Sequence, residues 1–160
     1  CKFPTAVRHS AEADGTGPSP SAPIEKGKNT MRNFAAMSAQ DLAAYRGQVA
    51  ALNDQMRARL DSPAPNIVLM TAGILAMVDA DPATSIAKQI ELAAIVAGYD
   101  AFSEDNNPHG ERDFGDFEWQ GVTCYWKIDY YDRNADCASP DPADPAVTCR
   151  LLTILRADEY

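Results

Sequence analysis

The sequence predicts an α+β domain, a small antiparallel sheet of about four strands that includes a β-hairpin, with two helices packed on it. Three observations carry this prediction. Residues 105–132 alternate apolar and polar side chains on either side of Gln120-Gly121, the pattern of a hairpin. Residues 42–60 and 86–97 repeat apolar side chains at helical steps of three and four. Residues 66–71 and 147–156 are short apolar runs of strand length.

The hairpin organises the rest. With a two-residue loop, in which Gly121 supplies a positive φ, Trp119 faces Val122, Phe117 faces Cys124, Gly115 faces Trp126 and Asp113 faces Ile128. These residues and Tyr130 form a core face, and Gly115 makes room for the Trp126 indole. The opposite face pairs Glu118 with Thr123, Asp116 with Tyr125, Phe114 with Lys127 and Arg112 with Asp129. The last pair reads as an exposed ion pair worth under about 1 kcal/mol. Phe114, Tyr125 and Tyr131 are too many aromatics for a solvated face, so either the first helix or a partner covers it.

Taken in order, residues 1–37 form an amino-terminal arm and residues 38–160 a single domain. Four Pro and three Gly without periodicity in residues 1–30 predict disorder there. The arm reads as an upstream extension, with Met31 or Met37 as initiator, in preference to a lipid-bearing terminus at Cys1. Ser38 caps a helix with Asp41 in its first turn, and Leu42, Tyr45, Val49, Leu52, Met56 and Leu60 supply its apolar stripe. Asp61 to Pro65 ends it. Asn66–Thr71 is a strand that Gly73 closes. Asp81 and Pro82 start a second helix, with Ile86, Ile90, Ala94 and Ala97 on its inner face. The Pro-rich run 139–145 is an extended loop over one end of the sheet that covers an exposed edge, and Val147–Arg156 is the final strand.

The net charge is −9, but unevenly placed. Residues 1–60 hold eight Lys/Arg against five Asp/Glu, and residues 61–160 hold six against eighteen. Such an acidic body repels phosphates, which argues against direct nucleic-acid binding and suits a basic protein partner. The same charge also serves solubility alone. The longest apolar run, Ile67–Val78, is too short to span a bilayer. Cysteines 1, 124, 137 and 149 lack paired metal-site spacing. Reduced thiols are expected, although Cys137 and Cys149 can bridge in an oxidising compartment.

The segments AALNDQMR (50–57), TAG (71–73), DNNPHGERDFGDFE (105–118), WKIDYYD (126–132), SPDPADPAVT (139–148) and RLLTILRADEY (150–160) resemble an uncharacterised bacterial family, domain of unknown function 3768. The likeness covers about residues 49–160. It implies a bacterial cytoplasmic protein, of a kind found mainly in alphaproteobacteria and often on plasmids, and it brings no established activity. Two positions depart from the family pattern: Asn107 stands where Asp is common, and Arg112 where His is common.

Two sets of residues are candidates for function. His109, Glu111 and Asp113 alternate along an extended segment, so they can converge on one hard divalent cation, the basis of a metal-dependent hydrolase. The structural alternative is a Pro-His-Gly turn whose neighbouring acids cap loop amides or meet Arg150 or Arg156. No second His stands at ligand spacing, so no bound cofactor is expected. Asp105, Asp116, Glu118, Asp129 and Tyr131 are the candidate partner-binding residues. The leading expectation is a non-enzymatic accessory protein of a plasmid or mobile element that binds a protein partner through its acidic surface, an antirestriction-like or DNA-mimic role being one version. The alternatives are the hydrolase and a structural or oligomerisation module built on the first helix.

Overall fold

The computed structural model describes residues 36–61 and 65–160. Nearly all of the expected arm, and residues 62–64 after the first helix, lie outside them. The described elements are α1 (Ala39–Arg57), β1 (Ile67–Met70), α2 (Ala72–Asp79), α3 (Ser85–Ala97), β2 (Phe114–Trp119), β3 (Val122–Asp132) and β4 (Thr148–Arg156). A single 3-10 turn, Ala157–Glu159, follows β4.

The hairpin β2–β3 forms in the predicted register, from Trp119 opposite Val122 to Phe114 opposite Lys127. Both turn residues are left-handed, Gln120 at φ 52° and Gly121 at φ 76°, as in a type I′ turn whose twist matches the strands. β4 lies antiparallel beside β3, and β1 lies parallel beside β4, giving one mixed sheet in the order β1-β4-β3-β2. Apolar strand residues report burial and not direction, so the parallel edge was not readable from the sequence.

All three helices supply the core on one face of this sheet. Met56 of α1, Ile74 and Val78 of α2, and Leu92 and Val96 of α3 pack with Trp119, Trp126, Ile128, Leu152 and Ile154. Trp126 is the largest wholly buried side chain, and Tyr99 and Phe102 meet its ring edge-on at 5.4 and 6.3 Å. Gly115 has no side chain because the indole and Tyr99 occupy that space.

Several expectations change. α2 is an additional helix, and Gly73 belongs to its first turn rather than closing β1. A Cβ at Gly73 would lie 2.6 Å from the Glu159 carboxylate, which accepts from Gly73 N at 2.8 Å and from the Thr71 hydroxyl at 2.6 Å. The chain's end thus caps the start of α2, where a negative charge also suits the helix dipole. α3 begins at Ser85, not at Pro82; residues 81–84 form a separate turn closed by Thr84 N to Asp81 O. Its inner face is Leu92 and Val96, whereas Ile86 and Ile90 are 74% and 65% exposed. The helix is apolar around most of its girth, so periodicity alone did not choose between two stripes. The Pro-rich loop does lie at one end of the sheet, where it bonds to the inner strand β4 through Thr148 and Arg150.

Candidate functional site

The helix-covered face ends, beyond Ile128, in a buried polar cluster. α1 turns Asn53 and Arg57 inward, one helical turn apart on the same face as Val49. The Asn53 amide donates to Glu111 O and to the Tyr130 hydroxyl, both at 2.8 Å, and its oxygen accepts from Arg150 Nε at 2.9 Å. The Tyr130 hydroxyl donates in turn to the Glu111 carboxylate at 3.3 Å. Arg57 donates to the carbonyls of Val96 and Tyr99, pairs with Asp54, and stacks 4.9 Å over the Trp126 ring. Burial pushes the Tyr130 hydroxyl well above its ordinary value and pulls Arg150 below its own.

Glu111 and Asp113 border this cluster. Both carboxyls are pushed up, first by burial; Asp113 repels a charge on Glu111, and Asp129 one on Asp113, while His109 opposes the rise at both. His109, Glu111 and Asp113 are therefore electrical neighbours. Among the described residues no group of three or more His, Cys, Asp or Glu is placed to hold a metal ion.

The predicted Arg112–Asp129 pair does not form. Arg112 sits at φ 54°, outside the strand, so its side chain leaves the alternation and meets Asp54 of α1 at 2.6 Å. Asp129 pairs instead with Lys127 at 2.7 Å along its own strand. The left-handed turn is held by Asn107, whose side-chain oxygen accepts from Arg112 N at 2.8 Å. Asn107 and Arg112 are thus bonded to one another.

Among the described residues the opposite sheet face carries no α-helix. Alternation places Asp116 and Glu118 of β2, and Asp129 and Tyr131 of β3, on this face beside Phe114, Tyr125 and Lys127. Ile67 and Leu69 extend it across β1 at 37% and 48% exposure. α1 packs on the other side, so it does not cover these aromatics. Tyr160 does so in part, meeting Phe114 at 6.1 Å and Tyr125 at 5.7 Å. Asp105 lies apart from the face, exposed in the turn-rich segment before β2.

Sequence reasoning missed Asn53 and Arg57, and named Arg150 only as an alternative partner for the acids before the hairpin. A signal existed: positions 49, 53 and 57 step by four through the apolar stripe of α1, and Arg150 alternates with Leu152 and Ile154. Polar residues at core-facing positions mark a buried network.

These features define an α+β domain with one helix-covered sheet face and one face that, among the described residues, carries no α-helix. The chain belongs to the family described as Protein of unknown function (DUF3768), which matches residues 70–159. No curated protein and no solved structure matches it. Among the described residues no helix is long and apolar enough to cross a membrane.

Proposed function

We propose that this chain is a protein-binding module whose open sheet face docks a basic, apolar-bearing surface of a partner protein. One observation carries the reading: four of the five residues expected to bind a partner share, with exposed Leu69 and the Phe114–Tyr125 aromatic pair, the face that carries no α-helix among the described residues. Acids interleaved with apolar and aromatic side chains suit a protein surface, where aromatic anchors give affinity and charge gives orientation and speed. Lys127 is the one base among the strand residues of that face, and Asp129 already neutralises it. Asp116 and Glu118 stay exposed along edge strand β2, available to Lys or Arg. A partner that itself binds nucleic acid has the required basic surface, and an accessory role on a mobile element fits such a partner.

The test is capture of the partner with tagged full-length chain from its native host, then measurement of the purified pair. Asp116→Lys with Glu118→Lys should weaken binding at least about tenfold, an effect of roughly 1.4 kcal/mol, and wild-type affinity should fall as salt rises. An unchanged dissociation constant in the double variant places the interface elsewhere.

A divalent metal at His109, Glu111 and Asp113 is the second reading, supported by two half-buried carboxylates within four residues of an imidazole, although among the described residues these groups are not placed around a single ion position. Elemental analysis of protein purified without chelator tests it. Near-stoichiometric metal that is lost in Glu111→Gln with Asp113→Asn would promote a hydrolase over the binding module.

A further inference from the structure

An open cavity of about 750 Å³ lies between the end of α1, the start of β1 and the connection from β3 to β4. Among the described residues its lining includes Arg59, Arg133 and Arg150 and no Asp or Glu, in a chain whose net charge is −9. Arg59 and Arg133 are exposed at the rim, while Arg150 is buried at 2% exposure. None of the three forms an ion pair among the described residues, in contrast to buried Arg57, which meets Asp54. Arg150 is held by neutral groups instead: Nε donates to Asn53, one Nη donates to Pro142 O at 2.5 Å, and the Tyr130 ring lies 5.5 Å from its guanidinium carbon. The Asn66 oxygen accepts from Arg150 N, and among the described residues its amide hydrogens have no acceptor.

A buried guanidinium without a counter-charge is costly, and two further cations at the same opening add repulsion that an anion would relieve. We infer that this cavity binds a small phosphorylated anion, held by Arg150 at the floor and by Arg59 and Arg133 at the rim. A phosphoryl group is favoured over a carboxylate because the donors come from three separate segments. A tetrahedral dianion accepts from several directions, whereas a planar carboxylate is satisfied by one bidentate arginine. The site lies on the helix side of the sheet and is independent of the open face.

The experiment is calorimetric titration of the full chain with inorganic pyrophosphate, with citrate as the carboxylate control, at constant ionic strength. Saturable pyrophosphate binding is expected, weakened at least about tenfold in Arg59→Gln with Arg133→Gln. Both positions are exposed, so that variant should keep the parent melting temperature and isolate binding from folding. Absence of saturation at millimolar pyrophosphate overturns the inference. So does citrate binding as tightly as pyrophosphate, or unchanged affinity in the double variant.

Discussion

Replacing Gly115 tests the centre of the fold with a perturbation whose sign is unusual. Gly115 has no positive φ, so its backbone suits any residue, and a side chain there would ordinarily help a strand. Gly to Ala at a compatible position typically stabilises by about 0.4–1 kcal/mol through the unfolded chain. Here, however, an added Cβ lies 2.5 Å from Trp126 Nε1 and 2.7 Å from both Trp126 Cε2 and Tyr99 Cζ. The indole is wholly buried and wedged by Tyr99, Phe102 and the Arg57 guanidinium, so it has nowhere to move. Overpacking of this kind costs about 1–3 kcal/mol, so Gly115→Val should lower stability by that amount and the Tm by several degrees. The assay is urea unfolding followed by tryptophan fluorescence, with a lower midpoint and an unchanged slope. Gly47→Ala is the internal control: it sits at an exposed position of α1 with nothing within 4 Å, and should stabilise by about 0.5–1 kcal/mol. If Gly115→Val matched the parent in urea, the account of Trp126 packing would be wrong.

Three other outcomes are expected. Asn53→Ala strands the Arg150 Nε hydrogen, Glu111 O and a partner of the Tyr130 hydroxyl, and at about 1–3 kcal/mol for an unsatisfied buried group should cost roughly 3 kcal/mol in a denaturant titration. Glu111 and Asp113 both titrate above their ordinary 4.5 and 3.8 when folded, so their stabilising contribution is full below those values and is lost as pH rises through the folded ones. Glu111→Gln with Asp113→Asn should therefore be at least as stable as wild type at pH 7, with the difference shrinking near pH 4; a variant clearly less stable at pH 7 contradicts the burial argument. Cys137 is exposed, whereas Cys124 and Cys149 are buried with thiols pushed up by burial, so a thiol reagent should label Cys137 at once and the other two only on unfolding.

The hairpin was legible because strand alternation has a period of two and the turn fixes register: Gln120-Gly121 alone determines that Gly115 meets Trp126. The cap at Ser38 was legible for the same local reason, since its hydroxyl reaches Asp41 N at 3.1 Å within three residues. The placement of Asp116, Glu118, Asp129 and Tyr131 on one face followed from alternation, but which face the described helices cover did not. That depends on where α1 packs, and a stripe of apolar residues fits either side of a sheet. The helical nature of Ala72–Asp79 and the inner face of α3 were likewise undecided by periodicity, because segments apolar all round satisfy several templates at once. Only the tertiary structure joined Glu159 to Gly73, Arg112 to Asp54, and Asn53 to Tyr130 and Arg150. These contacts span tens of residues, and local sequence carries no record of them. A polar side chain reveals that it needs a partner, whereas the partner's identity is fixed only when the whole chain folds.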